Sequence, residues 1–270
     1  MSDMKQISVF WFRRDLRLGD NAGLYHALRS GFPVLPVFIF DPEILDKLEE
    51  KADRRVSFII AALEELNKKL IAAGSALKVF HCPPLEAFRK ISTEFSLKGL
   101  YVNTDYEPYA TSRDAAVVSL LKDKGIPVRF YKDQVIFEKD EAVKADGTPY
   151  TVYTPYSRAW KKLLTSKDIQ PFASESLAGN FLRTAPAIIP AIEELGFRPV
   201  KTVPALPAVN TEIIRDYHLS RDIPSVEGTT RLGVHLRFGT VSIRNLVKTA
   251  LELNETWLNE LIWREFFMSI

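Results

Sequence analysis

The chain has 270 residues, 46% hydrophobic and 26% charged, with a net charge of +2. These are the proportions of a globular protein able to bury one large core or two modest ones, and the near-neutral charge excludes a global basic field for nucleic acid. A single cysteine, Cys82, excludes an intramolecular disulfide, and with only four histidines the sequence offers no zinc-type cluster, so no metal site is expected.

The polar N-terminus runs straight into a strand-like segment with no signal-peptide core, and no apolar run reaches the length of a membrane span. A cytoplasmic protein without membrane contact is expected. Ile7 to Phe12 reads as a strand, followed by a helix capped by Asp20, running through Ser30 and closed by Gly31. Val34 to Phe40 is a continuous apolar run of the buried-strand kind. From Arg54 to Ala73 the apolar positions Val56, Ile59, Ile60, Leu63, Leu66, Leu70 and Ile71 mark an amphipathic helix stopped by Gly74. Leu77 to His81, Leu100 to Asn103 and Val128 to Tyr131 are further strands, separated by helices near Leu85 to Phe95 and Ala110 to Lys124. This alternation predicts an α/β, doubly wound, five-stranded parallel Rossmann-like sheet over residues 1–132.

Ligands of such sheets sit beyond the carboxyl ends of the strands. There the first strand is followed by Arg13-Arg14-Asp15-Leu16-Arg17 and not by a glycine-rich turn, which argues against a dinucleotide held in the Rossmann manner. The arginines around Asp15 suit either an anion or an ion-paired corner that docks a neighbouring domain. Residues 133–208 read as a connector, with a turn at Asp146-Gly147, an aromatic stretch from Tyr150 to Trp160 leading into a short helix, and a proline-rich run after Ser166 that includes Pro186, Pro190, Pro199, Pro204 and Pro207.

The last third, residues 209–270, begins with a helix over Thr211 to Leu219 and a loop from Tyr217 to Gly228. Thr229-Thr230-Arg231 precedes an amphipathic run, as either a phosphate seat at a helix start or a threonine N-cap. The final helix, with Asn254 as N-cap, places Trp257, Glu260, Trp263 and Arg264 within about a third of the helix circumference. Leu258, Leu261 and Ile262 form an apolar side that anchors the helix while the mixed face looks into a cavity.

Three strings then fall in order along the chain: Trp11-Phe12-Arg13-Arg14-Asp15-Leu16-Arg17-Leu18, Glu227-Gly228-Thr229-Thr230-Arg231-Leu232, and Trp257-Leu258-Asn259-Glu260-Leu261-Ile262-Trp263-Arg264. They closely resemble signatures of the DNA photolyase and cryptochrome family, nearest to cyclobutane pyrimidine dimer photolyase. The Thr154 to Trp160 segment resembles the family's connecting segment. The resemblance implies an antenna-carrying α/β domain, a long linker and the beginning of an all-α FAD-binding domain. It implies that Tyr217, Thr229, Thr230, Arg231, Leu232 and Gly233 hold the FAD diphosphate region, with Gly233 where many relatives have serine. Trp257 would pack on the flavin, Glu260, Trp263 and Arg264 would face the damaged bases, and Arg221 would meet the DNA backbone. Glu260, as a hydrogen-bond donor to a thymine, and Trp263, stacked on the extruded dimer, would carry the light-driven, FAD-dependent repair.

The same resemblance implies a second, antenna chromophore facing the loop Asn103 to Tyr109. The family's folate-binding Asn-Glu pair is replaced here by Tyr109 and Ala110, which argues against folate and leaves a deazaflavin, a flavin or no antenna. The partner expected is DNA containing pyrimidine dimers, bound by a monomer without an obligate protein partner. Family members continue past the position of Ile270, so the resemblance implies a C-terminally truncated photolyase that alone neither retains FAD tightly nor repairs DNA. A cryptochrome-type light receptor, and a nucleotide-binding α/β domain unrelated to light, are the alternatives.

Overall fold

A computed structural model describes residues 4–201, 203–204 and 207–270. The chain divides into two compact units, Met1–Tyr131 with Phe172–Leu206, and Lys132–Pro171 with Pro207–Ile270.

The first unit is built on a five-stranded parallel sheet in the order β3-β2-β1-β4-β5, from β1 (Gln6–Phe12), β2 (Val34–Phe40), β3 (Lys78–His81), β4 (Ser96–Asn103) and β5 (Val128–Tyr131). The helices are α1 (Ala22–Leu28), the single-turn α2 (Pro42–Leu45), α3 (Arg54–Ala72), α4 (Pro84–Glu94) and α5 (Pro108–Lys122). Because side chains alternate along a strand, Ile7, Val9 and Trp11 join Leu35, Val37 and Ile39 in one core layer against Phe88 and Ile91 of α4 and Val117 and Leu121 of α5. Pro36 is admitted into β2 because β3 pairs only from Val37 onward, so its missing N–H interrupts no ladder with β3. Asp53 caps α3 by accepting from the Arg55 N–H at 2.7 Å, and Gly74, with φ +80°, ends that helix as expected.

Two expectations are corrected here. Asn21, not Asp20, caps α1, accepting from the Leu24 N–H at 3.0 Å. Asp20 instead takes a left-handed backbone, φ 47°, and its carboxylate accepts from the Phe172 N–H at 2.8 Å. The connector over 133–208 is not a unit of its own: its first part belongs to the second unit, and the chain from Phe172 returns to the first. The return is held by polar contacts no composition announces. Ser174 accepts from the Asn21 N–H, and the Leu182 N–H donates to the Val34 carbonyl on the stretch of β2 that precedes its pairing with β3. Short 3-10 turns at Ser174–Asn180 and Ile192–Leu195 interrupt an otherwise irregular path, as the proline density leads one to expect.

The second unit is helical: α6 (Tyr153–Leu163), α7 (Thr211–Arg215), α8 (Tyr217–Ser220), α9 (Gly233–Phe238), α10 (Ile243–Leu253) and α11 (Glu255–Ser269). The helix expected over Thr211 to Leu219 is broken at Asp216, and α10 is an addition to the expected elements. Tyr156 and Trp160 of α6 are fully buried with Ile214, Leu246, Val247, Leu258, Leu261, Ile262 and Phe266. Among the described residues no helix is long and apolar enough to cross a membrane, and no group of His, Cys, Asp and Glu is placed to hold a metal.

Candidate functional site

The site residues of the helical unit are positioned by α11. Its start is set by Asn254, whose Oδ1 accepts from the Trp257 N–H at 3.1 Å. With that oxygen engaged, the amide nitrogen is the donor to the Arg215 carbonyl and to Nδ1 of His218, both at 2.8 Å. One side chain thus starts α11 and ties α7 and α8 to it, which sets where Tyr217 and Arg221 stand.

The mixed face expected on α11 is divided by its neighbours. Trp257 is 3% exposed and lies in the apolar core with Ile214 and Leu232. Arg264 donates to the backbone carbonyls of Gln134 at 2.8 Å and Leu236 at 3.3 Å, so its guanidinium is engaged inside the unit. Glu260, Trp263 and Arg264 are all half-buried, but with Trp257 in the core and the Arg264 guanidinium turned to backbone carbonyls, the expectation that two indoles, a carboxyl and a guanidinium share one open face is corrected. The physical reason is crowding: α6 and α10 pack on α11, and the stretch from Lys132 to Phe137 is bonded to it as well.

Around Glu260 the structure gathers Arg221, Tyr217 and Tyr153. Arg221 forms an ion pair with Glu260 and a second with Asp222 at 3.3 Å, and its guanidinium lies 5.3 Å from the centre of the Tyr217 ring. The phenols of Tyr217 and Tyr153 are both raised above the ordinary range, first by burial and also by the negative charge of Glu260. Trp263 stacks flat on Tyr153, with ring centres 3.6 Å apart and planes within 6°.

The residues expected around a diphosphate lie in one connected stretch. Gly228 is pressed against Ser220 so closely that a Cβ would meet its Oγ at 2.5 Å, so the loop from Arg221 closes on α8 only because this residue is glycine. Thr229 is exposed, Thr230 half-buried, and Arg231, in the left-handed region at φ 53°, pairs with Glu227 at 2.8 Å. The alternative of a threonine N-cap is overturned, since Leu232 occupies the cap position of α9 and is itself buried. Gly233 opens α9 with nothing within 4 Å of where a Cβ would stand. Hydroxyls, a guanidinium and open space at Gly233 fit an anionic diphosphate group.

One functional group was missed by sequence reasoning. Glu265, 2% exposed, accepts from the N–H groups of Ile136 and Phe137 at 2.8 Å each and from the indole Nε1 of Trp160 at 2.6 Å. Burial pushes its pKa up to about 7, while these donors act in the opposite sense. Its signal was present: with Leu258, Leu261 and Ile262 it falls on the apolar side of α11, where a carboxyl has to be buried and paired. Beside it, Asp133 and Arg244 form a buried ion pair at 2.8 Å.

In the first unit, the arginine-rich corner after β1 is ion-paired. Arg13 meets Asp114 at 2.6 Å and also donates to the Asn103 carbonyl, and Arg14 meets Glu107 at 2.5 Å. Arg17 donates to the Asp20 carbonyl at 2.6 Å. Asn103 donates to Asp15 at 2.6 Å and to Asn21 at 2.9 Å, knitting three loops together. Tyr109 donates to Asp41 at 2.5 Å, and burial and that bond raise its phenol further.

A doubly wound parallel sheet followed by a helical unit with an Arg221–Glu260 pair beside a stacked tryptophan defines a two-part α/β and α-helical protein. The family model for DNA photolyase matches residues 8–175. The chain belongs to the DNA photolyase family. It is 29% identical to the deoxyribodipyrimidine photo-lyase of Synechococcus sp. strain PCC 6301, over 96% of this chain and 59% of that protein. It is 32% identical to a 31.6 kDa protein of Synechococcus sp. strain PCC 6716, over 96% of this chain and 99% of that one. Among solved structures it matches the archaeal photolyase of Sulfolobus tokodaii with two FAD molecules, at 29% identity and a TM-score of 0.74, covering 97% of this chain and 58% of that one. The chain thus spans about three-fifths of the length of the photolyases it matches.

Proposed function

We propose that the protein serves the light-dependent repair of cyclobutane pyrimidine dimers in DNA, the reaction of a deoxyribodipyrimidine photo-lyase, with FAD as its cofactor. The observation that carries this reading is the placement of Glu260, Arg221 and Trp263 within one half-buried cluster. An indole offers a face to a pyrimidine taken out of the duplex, a guanidinium offers a bidentate seat for a phosphate of the strand, and a carboxyl orients the polar edge of the base. Tyr217, Thr229, Thr230, Arg231 and Gly233 would hold the diphosphate of FAD, with Leu232 and Trp257 supporting that stretch from the core. Bound reduced FAD supplies the excited-state electron; the residues bind, orient and exclude water. The second FAD of the Sulfolobus protein makes a flavin the first antenna to test, ahead of a deazaflavin or none.

The test is an absorption spectrum of the purified chain after adding FAD and removing the excess, followed by blue-light treatment of an oligonucleotide carrying one thymine dimer. Retained flavin bands and restored thymines support the reading. Retained flavin with intact dimers sinks repair and favours light signalling. No retained flavin bears out the expectation that this chain alone does not hold FAD tightly, and sinks repair by the chain alone.

A further inference from the structure

The ring in closest parallel contact with Trp263 is that of Tyr153, the first residue of α6, in the aromatic stretch from Tyr150 to Trp160. At 3.6 Å between ring centres and 6° between planes, the two rings are in van der Waals contact, and no base fits between them. The Tyr153 hydroxyl donates to the Asn259 carbonyl of α11 at 3.0 Å, which fixes the phenol ring along the helix that carries Trp263. Phe266 meets both rings edge-on, at 6.0 Å from Tyr153 and 5.7 Å from Trp263, and Phe267, itself 65% exposed, lies near-parallel to the indole at 5.4 Å and 24°. The indole is therefore held in one orientation by neighbours from α6 and α11, with the face toward Tyr153 closed and the exposed Phe267 ring as the neighbour that an incoming base has to displace or share.

We propose that Tyr153 is a positioning residue for damaged DNA: it backs one face of Trp263 and so restricts stacking of an extruded pyrimidine to the other. This rests on the repair reading of the same site. A free indole on a helix surface rotates among rotamers and presents either face, at the cost of ordering it on each binding event. A backed indole presents one face in advance, so stacking is gained without that ordering. Tyr153 touches the indole and not the base, which sets it apart from Trp263 itself.

The experiment compares affinities of the whole chain, with FAD added, for an oligonucleotide carrying one thymine dimer and for the same oligonucleotide undamaged. Because Tyr153→Ala leaves Trp263 in place but no longer ordered in advance, it is expected to lower the preference for the dimer by about tenfold. Affinity for undamaged DNA should not change, and Tyr153→Phe, which keeps the ring, should retain the preference. The near-ultraviolet circular dichroism of the indole should change in Tyr153→Ala and stay in Tyr153→Phe. A preference undiminished in Tyr153→Ala overturns the role of Tyr153 while leaving the repair reading standing. An equal loss in both variants also overturns it, by moving the effect to the hydroxyl. An unaltered chain without any preference for the dimer overturns the repair reading, and with it this one.

Discussion

The two units solve the same problem, burying polar backbone, by opposite means. In the first, parallel ladders and long helices satisfy the main chain, and the buried side-chain bonds around Asp15, Asn21 and Asn103 only join loops that the sheet already places. In the second there is no sheet beneath the irregular stretch 132–137, and its N–H and carbonyl groups are met by side chains: Glu265 for Ile136 and Phe137, Arg264 for Gln134. Asp133 is held there by Arg244. An unmet buried polar group costs about 1–3 kcal/mol and an unpaired buried charge more, so the second unit depends on a few residues where the first depends on many.

The sharpest way to break this contrast is Arg244→Met, which leaves Asp133 buried without its cation. A loss of about 3–5 kcal/mol is expected, confined to the helical unit, and hydrogen exchange should show α10 and α11 opening while β1 and β4 stay protected. Equal loosening of both units would show that they do not differ in this way.

The pH dependence comes next. Glu265 has a folded pKa of about 7 against an ordinary value of 4.5. A raised carboxyl binds its proton more tightly folded than unfolded, so its contribution is fully present below about 4.5 and lost as pH rises through 7. Unfolding of the helical unit, followed by Trp fluorescence, should weaken by on the order of 3 kcal/mol across that window, and Glu265→Gln should remove the slope. A slope kept in Glu265→Gln would assign it to another group.

The smallest expected effect is Asn254→Ala. Loss of the cap costs about 1 kcal/mol and frees α8 from α11, so the affinity for dimer-containing DNA should fall through misplacement of Arg221. Unchanged affinity would separate the cap from the site.

What was legible in the sequence follows the same division. β2 announced itself as a continuous apolar run because a strand covered on both faces of a parallel sheet leaves no polar position, and β1 and β5 fall where expected even though β1 carries Ser8 and the edge strand β5 carries the exposed Arg129. The candidate site was suggested in the sequence where a carboxyl and an indole, Glu260 and Trp263, interrupt the apolar pattern of one helix. Tyr153 was hidden because its meaning lies in a contact 110 residues away, between α6 and α11, and no local period reports that. Arg264 misled because helical spacing gives the direction of a side chain and not what already stands there. Asp20 and Asn21 differ as caps only through the left-handed turn that carries Asp20 toward Phe172, a tertiary fact.

The return of the chain at Phe172 also bears on the order in which the protein is made. The first unit is discontinuous: its sheet strands are complete by Tyr131, yet Ser174 and Leu182, which bond to Asn21 and Val34, are synthesised only after the whole of Lys132–Pro171. During translation the finished strands must wait for about fifty further residues, up to Leu182, before that side of β2 is covered. Contacts so distant in sequence form slowly, because the loop between them must be closed first. On the ribosome, the segment that later belongs to the helical unit is carried as an excursion from a domain still missing its last stitch.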